Sequence, residues 1–355
     1  MRNRNQSKPH HNFSQIVPDC VNEIFKYYIQ KVSCEQTKKI TRAEKEFFSE
    51  QVVCWEFDQD CDNVAGFLKN TRGNKRCLFY VDLSNNEHLT KEVFPYLRGV
   101  IELDISYCRK IDDQAMANLG GVQKLCLKGV DSKKLTNEGF RNLRSCIELD
   151  ISECSQETIG DAAFENLRNL RVLRMAHCFQ ESITDQSFTN LRNCIELDMS
   201  GCHQPTITDK AFENLRTLRK LRMLNVHQNS ISDKAFTNLR NCIELDMSGC
   251  HQPTITDKAF ENLRNVRVLH MFACDQPFSV EIFRNFDSIE ELDMRMCSDK
   301  LLEVWMSKFV IDFGTNAAAI EENKTSTEKP EVATTGKVFF PAIEKDFALV
   351  SNRNL

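Results

Sequence analysis

The chain has 355 residues, of which 41% are hydrophobic and 27% charged, with a formal net charge of −5. That length supports one large or two small cored domains, and the lack of basic excess removes nucleic acid as the default partner. No window approaches 18 consecutive apolar residues, which excludes a membrane-spanning helix, and the sixteen cysteines contain no CxxC pair, which removes the commonest zinc layouts.

Residues 1–12 (MRNRNQSKPHHN) carry positive charge with no apolar core behind it, so they read as a polar tail rather than a secretory signal. Without such a signal, the cysteines indicate a reduced, intracellular chain, cytoplasmic or nuclear. Residues 13–76 open with Val17-Pro18-Asp19. Pro18 suits a first helical turn and Asp19 the positive end of the dipole. Val21, Ile24, Phe25 and Tyr28 then share one face of a short helix. A second apolar cluster follows at Phe47-Phe48 and Val52–Phe57.

From residue 77 to 313 the chain repeats itself. Strand-like segments start at Leu78, Val100, Val122, Cys146, Leu170, Cys194, Leu218, Cys242, Val266 and Ile289, mostly 24 residues apart. Phe188–Arg216 recurs letter for letter as Phe236–Arg264, 48 residues on. Each unit reads L-x-x-L-x-L-x-x-C/N, then a loop, then ITDxxFxNL, which is the spacing of a leucine-rich repeat. Leu197 and Met199 point inward while Glu196, Asp198 and Ser200 alternate outward. Thr208-Asp209 supplies helix caps ahead of Ala211, Phe212 and Leu215. The expected fold class is therefore α/β: a leucine-rich-repeat solenoid, or horseshoe, of about ten units. It has a parallel concave β-sheet and outer helices, and a small helical segment precedes it.

Stacking the units turns the sequence into columns. The end-of-strand column (Asn86, Cys108, Val130, Cys154, Cys178, Cys202, Val226, Cys250, Cys274, Cys297) reads as packing, because Val twice replaces Cys. A metal role for Cys202-His203 and Cys250-His251 is disfavoured, since adjacent residues of an extended chain point to opposite sides. The central outward column runs Asp82, Asp104, Cys126, Asp150, Arg174, Asp198, Arg222, Asp246, His270, Asp293, and the alternation of acid and base separates like charges on neighbouring strands. The next column, from Ser84 to Arg295, becomes apolar towards its end. Arg174, Arg222, Leu224, Val268, His270, Phe272 and Arg295 are the candidate partner-binding residues, as aromatic and Arg anchors on a rigid face make hot spots. Met296 joins the same exposed C-terminal group.

The LxxLDxSxC strands and ITDxxF turns, for example Ile195–Phe212, resemble the cysteine-containing (AMN-like) subtype of leucine-rich repeats. The resemblance covers about Leu78 to Phe313, and these units are slightly shorter than is usual for that subtype. Ahead of them, Val17, Pro18, Ile24, Phe25, Cys54 and Trp55 resemble an F-box. One residue is missing between Pro18 and Ile24, and Cys54 and Trp55 are adjacent where that family separates them. The F-box resemblance implies a substrate-recognition subunit of a cullin-type ubiquitin ligase. Pro18, Ile24 and Phe25 would bind the ligase's adaptor subunit and the repeats would capture a protein substrate. The other reading of 13–76 is a cap on the solenoid's open end, in a repeat scaffold or inhibitor with no ligase role. No catalytic, cofactor or metal site is expected, for none of the common phosphate-loop, nucleophile-elbow or metalloprotease motifs occurs. Lys300–Phe313 is the expected closing cap, with Trp305 and Phe309 as core. Residues 314–355 read as linker and tail, containing an apolar island at Val338–Ile343 that either docks onto the solenoid or binds another protein.

Overall fold

In the computed structural model, residues 29–32, 53–71, 78–274, 276, 278–286, 289–297 and 337–339 are described. Their strands form one parallel sheet in strict chain order. Two strands come first, β1 (Ile29–Val32) and β2 (Val53–Phe57), and the helix α1 (Val64–Thr71) follows them. The repeat strands are β3 (Leu78–Asp82), β4 (Glu102–Asp104), β5 (Lys124–Cys126), β6 (Glu148–Asp150), β7 (Val172–Arg174) and β8 (Glu196–Asp198). They continue as β9 (Lys220–Arg222), β10 (Glu244–Asp246), β11 (Val268–His270) and β12 (Glu291–Asp293), and β13 (Lys337–Phe339) adds to the β12 edge. The repeat register is constant: Leu197 of β8 lies beside Leu173 and Leu221, and Asp198 beside Arg174 and Arg222.

The core is built from columns, one residue per unit. Leu149, Leu173, Leu197, Leu221 and Leu245 are fully buried, as are Met175, Met199, Met223 and Met247 behind them. From the outer side, Phe140, Phe164, Phe188, Phe212, Phe236 and Phe260 form a ladder no more than 2% exposed. Each side chain packs chiefly on the equivalents above and below it, so stability is a sum over neighbouring units.

The outer helices are single turns, mostly 3-10, such as Asp209–Phe212 and Asp233–Phe236. The sequence explains this. Each turn ends at a buried large side chain, here Phe212, and Leu215 reaches the core three residues later, just past the turn. A 24-residue unit leaves no length for a longer helix.

The Thr-Asp pair at each turn divides its labour. Thr208 accepts from the Lys210 amide and caps its own turn. Asp209 reaches across instead: it accepts the Ser232 backbone N–H and hydroxyl of the next unit, both at 2.7 Å. The same clamp joins Asp161 to Thr184, Asp185 to Thr208, Asp233 to Thr256 and Asp257 to Ser279.

The cysteine column points inward, and its weak S–H donors serve the preceding unit. Cys178, Cys202 and Cys250 donate to the carbonyls of Ile151, Met175 and Met223 at 3.0–3.1 Å. A second column, Cys146, Cys194 and Cys242, donates within its own unit to the carbonyls of Glu148, Glu196 and Glu244. Burial pushes the Cys202 and Cys250 thiols up to about 12, so they stay protonated and inert at neutral pH.

Where a helical segment is expected ahead of the repeats, residues 29–32 and 53–57 are strands, paired in parallel with each other and with β3. Trp55 is 1% exposed and meets Phe67 of α1 edge-on at 5.1 Å, so this part of 13–76 continues the solenoid's core. Pro18, Ile24 and Phe25 lie outside the described residues, as does the closing cap expected at 300–313.

Candidate interaction surface

The concave face is made by three outward columns, and a single local motif decides which residues it displays. Where the central column carries Asp, that carboxylate turns back on its own strand end. Asp150, Asp198 and Asp246 accept the backbone N–H of Ser152, Ser200 and Ser248 at 2.9–3.0 Å. The serines are then buried, 5–7% exposed, and each hydroxyl accepts the N–H of the corresponding residue on the next unit: Ala176, Leu224 and Phe272, at 3.2 Å. Those next units have no Asp-Ser pair. They present Arg174 with Ala176, Arg222 with Leu224, and His270 with Phe272.

The 48-residue period therefore alternates bracing rungs with display rungs. Ser152, Ser200 and Ser248 belong to the bracing rungs, where the alternation of the strand alone placed Ser200 outward. Display rungs are two strands apart, about 10 Å. Leu224 and Phe272 are each 38% exposed and Met296 is 71% exposed. Arg295 clamps Asp293 through two hydrogen bonds of 2.9 and 2.7 Å, and its guanidinium lies 5.6 Å from the Phe272 ring centre. Val268 sits beside this group, half-buried, one strand position before the Leu269–His270 pair.

Charge pairs cross between rungs, and the two arginines reach diagonally into the neighbouring column rather than along their own. Arg174 meets Glu196 at 3.1 Å, Arg222 meets Glu244 at 3.6 Å, and His270 lies 3.3 Å from Glu291 and 3.8 Å from Asp246. Lys124 sits between Glu102 and Glu148. Even so, the N-terminal half of the central column is acidic, because Cys126 stands where a base would separate Asp104 from Asp150. Burial raises the Asp104 carboxyl above its ordinary range, against hydrogen bonds from Ser106 that pull it down. A group whose folded value is raised favours the folded state at low pH, and that contribution is lost as pH rises through the raised value. Asp104→Asn, which retains an acceptor for the Ser106 N–H, is therefore expected to raise the thermal midpoint at pH 7. The gain should shrink towards pH 3, and calorimetry at the two pH values checks it.

Six copies of the BspA type leucine-rich repeat region match residues 80–195 and 181–298, more than half of the chain. The chain belongs to this family. Among solved structures, the BspA-type solenoid is similar to a chain of the TLR13–ssRNA13 complex, with a TM-score of 0.58 and 18% identity over 75% of this chain and 39% of that one. It is similar to the internalin InlF from Listeria monocytogenes, with a TM-score of 0.53 and 17% identity over 71% and 69%. A chain of the mouse RP105/MD-1 complex matches with a TM-score of 0.55 and 16% identity over 80% and 49%. At such identities the likeness is one of fold. This chain spans about two-fifths of the first of them. No curated protein matches the sequence significantly.

The flank of this BspA-type sheet carries a feature that reading along one unit misses. One residue beyond the cysteine column, Phe179, His203, His227 and His251 stand exposed on four consecutive units and stack on one another. Burial, then the neighbouring His251 and His203, hold the His227 imidazole below its ordinary range. The signal in sequence was an offset of 24 between histidines, visible only once the units are stacked. Among the described residues, no group of three or more His, Cys, Asp or Glu is arranged to enclose a metal ion. None of their helices is long and apolar enough to cross a membrane.

Proposed function

We propose that this chain is a non-catalytic binding scaffold that holds a protein partner on its concave face, centred on Leu224, Phe272 and Arg295. The observation that carries this reading is the display of apolar and cationic side chains from alternate rungs of a rigid sheet. The intervening rungs are spent on bracing the backbone. Leu224, Phe272 and Met296 present apolar surface flanked by Arg222, His270 and Arg295, a hot-spot composition. Arg174 extends the display by one rung, and Val268 flanks it.

A more specific reading rests on the Val17–Phe25 stretch and its F-box resemblance, with repeats of the cysteine-containing kind behind it. The scaffold would then be the substrate receptor of a cullin-type ubiquitin ligase, working in the cytoplasm or nucleus and raising the substrate's effective concentration near the transfer machinery. The placement of Trp55 in a solenoid strand supports the plain scaffold instead. Co-purification of the full chain with the ligase adaptor subunit separates the two. Retention abolished by Pro18→Ala, Ile24→Ala and Phe25→Ala together supports the receptor; no retention by the folded wild type leaves the scaffold.

A further inference from the structure

His203, His227 and His251 occupy one column on three consecutive units. Their exposed rings are nearly parallel, 8° apart in each pair, with centroids 5.5 Å apart for the first pair and 5.2 Å for the second. Phe179 covers the outer face of His203 at 6.1 Å. The neighbouring thiols of Cys202 and Cys250 point into the core and donate to backbone carbonyls, so they supply no ligand.

We infer that this ladder binds one divalent transition-metal ion of the class that prefers nitrogen, such as Zn2+ or Ni2+, between two adjacent imidazoles. Neutral imidazole is the commonest side-chain ligand for such ions. Two nitrogens on one tetrahedral zinc lie about 3.4 Å apart, given Zn–N bonds of roughly 2.0–2.1 Å. Rings stacked at 5.2–5.5 Å must therefore close by about 2 Å at their nitrogen edges. Exposed imidazoles reach that by turning about their side-chain torsions, since no core packing holds them. Water completes the open coordination shell.

The outer two histidines stand two rungs apart, about 10 Å, too far to share an ion. His227 therefore belongs to both available pairs, and occupying one pair uses it up. The stoichiometry is one ion per chain, and the central residue is indispensable where each outer one is replaceable.

The test is calorimetric titration of the full chain with Zn2+, and separately with Ni2+. His10→Gln and His11→Gln are made in the background, because that pair outside the described residues is a second adjacent set of histidines. The expected result is one saturable site, lost in His227→Gln and weakened by about twofold in His203→Gln or His251→Gln, the statistical factor for one pair in place of two. Imidazole resonances in NMR should broaden or shift for the same residues. Unchanged binding in His227→Gln, equal loss in all three variants, or no saturable site overturns the proposal and leaves the ladder as a stacking device only.

Discussion

Replacing Phe212 with alanine is expected to cost about 3–5 kcal/mol of unfolding free energy, the usual cost of emptying a large aromatic site in a packed core. Phe212 is 2% exposed and lies between Phe188 and Phe236 in the ladder, so the cavity falls at an interface between units. Because a solenoid's stability is nearly a sum of unit and interface terms, one weak interface can separate the array into two cooperative blocks. Denaturant titration followed by circular dichroism should show a lowered midpoint, with a broadened or biphasic transition. Leu224→Ala is the control: that side chain is partly exposed on the display rung, and its loss is expected to change stability by less than about 0.5 kcal/mol. Equal costs for the two substitutions would mean that Phe212 is not the core element its burial indicates.

The second large effect is expected from the clamp between units. Asp209→Ala removes the acceptor for both the backbone N–H and the hydroxyl of Ser232, leaving a part-buried donor unsatisfied. Hydrogen bonds to a charged group contribute about 1.5–3 kcal/mol, so the loss should fall in that range. Asp209→Asn keeps one acceptor oxygen and is expected to recover more than half of it. A variant that instead matches Asp209→Ala would place the effect in the charge rather than in the bonds. Thr208→Ala, which removes only the cap of its own turn, should cost less, about 1 kcal/mol.

The columns that depend on one residue type at one offset were legible in the sequence. Leu197, Met199 and Phe212 recur 24 residues away on either side, and the Cys202 column stays small and apolar where Val226 replaces Cys, so their inward direction follows from repetition and period alone. The register also places Asp198 between Arg174 and Arg222, but the arginines reach diagonally to Glu196 and Glu244, which the columns alone did not indicate. What escaped was whatever depends on hydrogen bonding between unlike positions of adjacent units. Ser200 is small and polar, so alternation places it outward, yet Asp198 and the Leu224 amide hold it in. Asp209 looks like a cap residue, and only the geometry between turns assigns it to Ser232. The stretch Ile29–Val32 reads IQKV, too short and too polar in the middle for a strand signal, and its pairing with β2 is a tertiary effect. The apolar island near the end of the chain left two readings open, and residues 337–339 lie in register on β12.

The display rungs explain why an exact 29-residue copy, set 48 residues further along the chain, is compatible with a single interaction face. Duplication adds one bracing and one display rung together, so the face lengthens without changing its local chemistry. Divergence is then needed only at display positions, where Ala176, Leu224 and Phe272 grow in size along the sheet.

The most direct test of this account is quantitative affinity purification of the wild-type chain beside the double variant Leu224→Glu, Phe272→Glu, with thermal unfolding measured for both. The account predicts that the double variant unfolds at nearly the wild-type temperature and loses the protein partners that the wild type retains. Retention of the same partners at the same yield by the folded double variant would contradict it, and would move the binding site off the concave face.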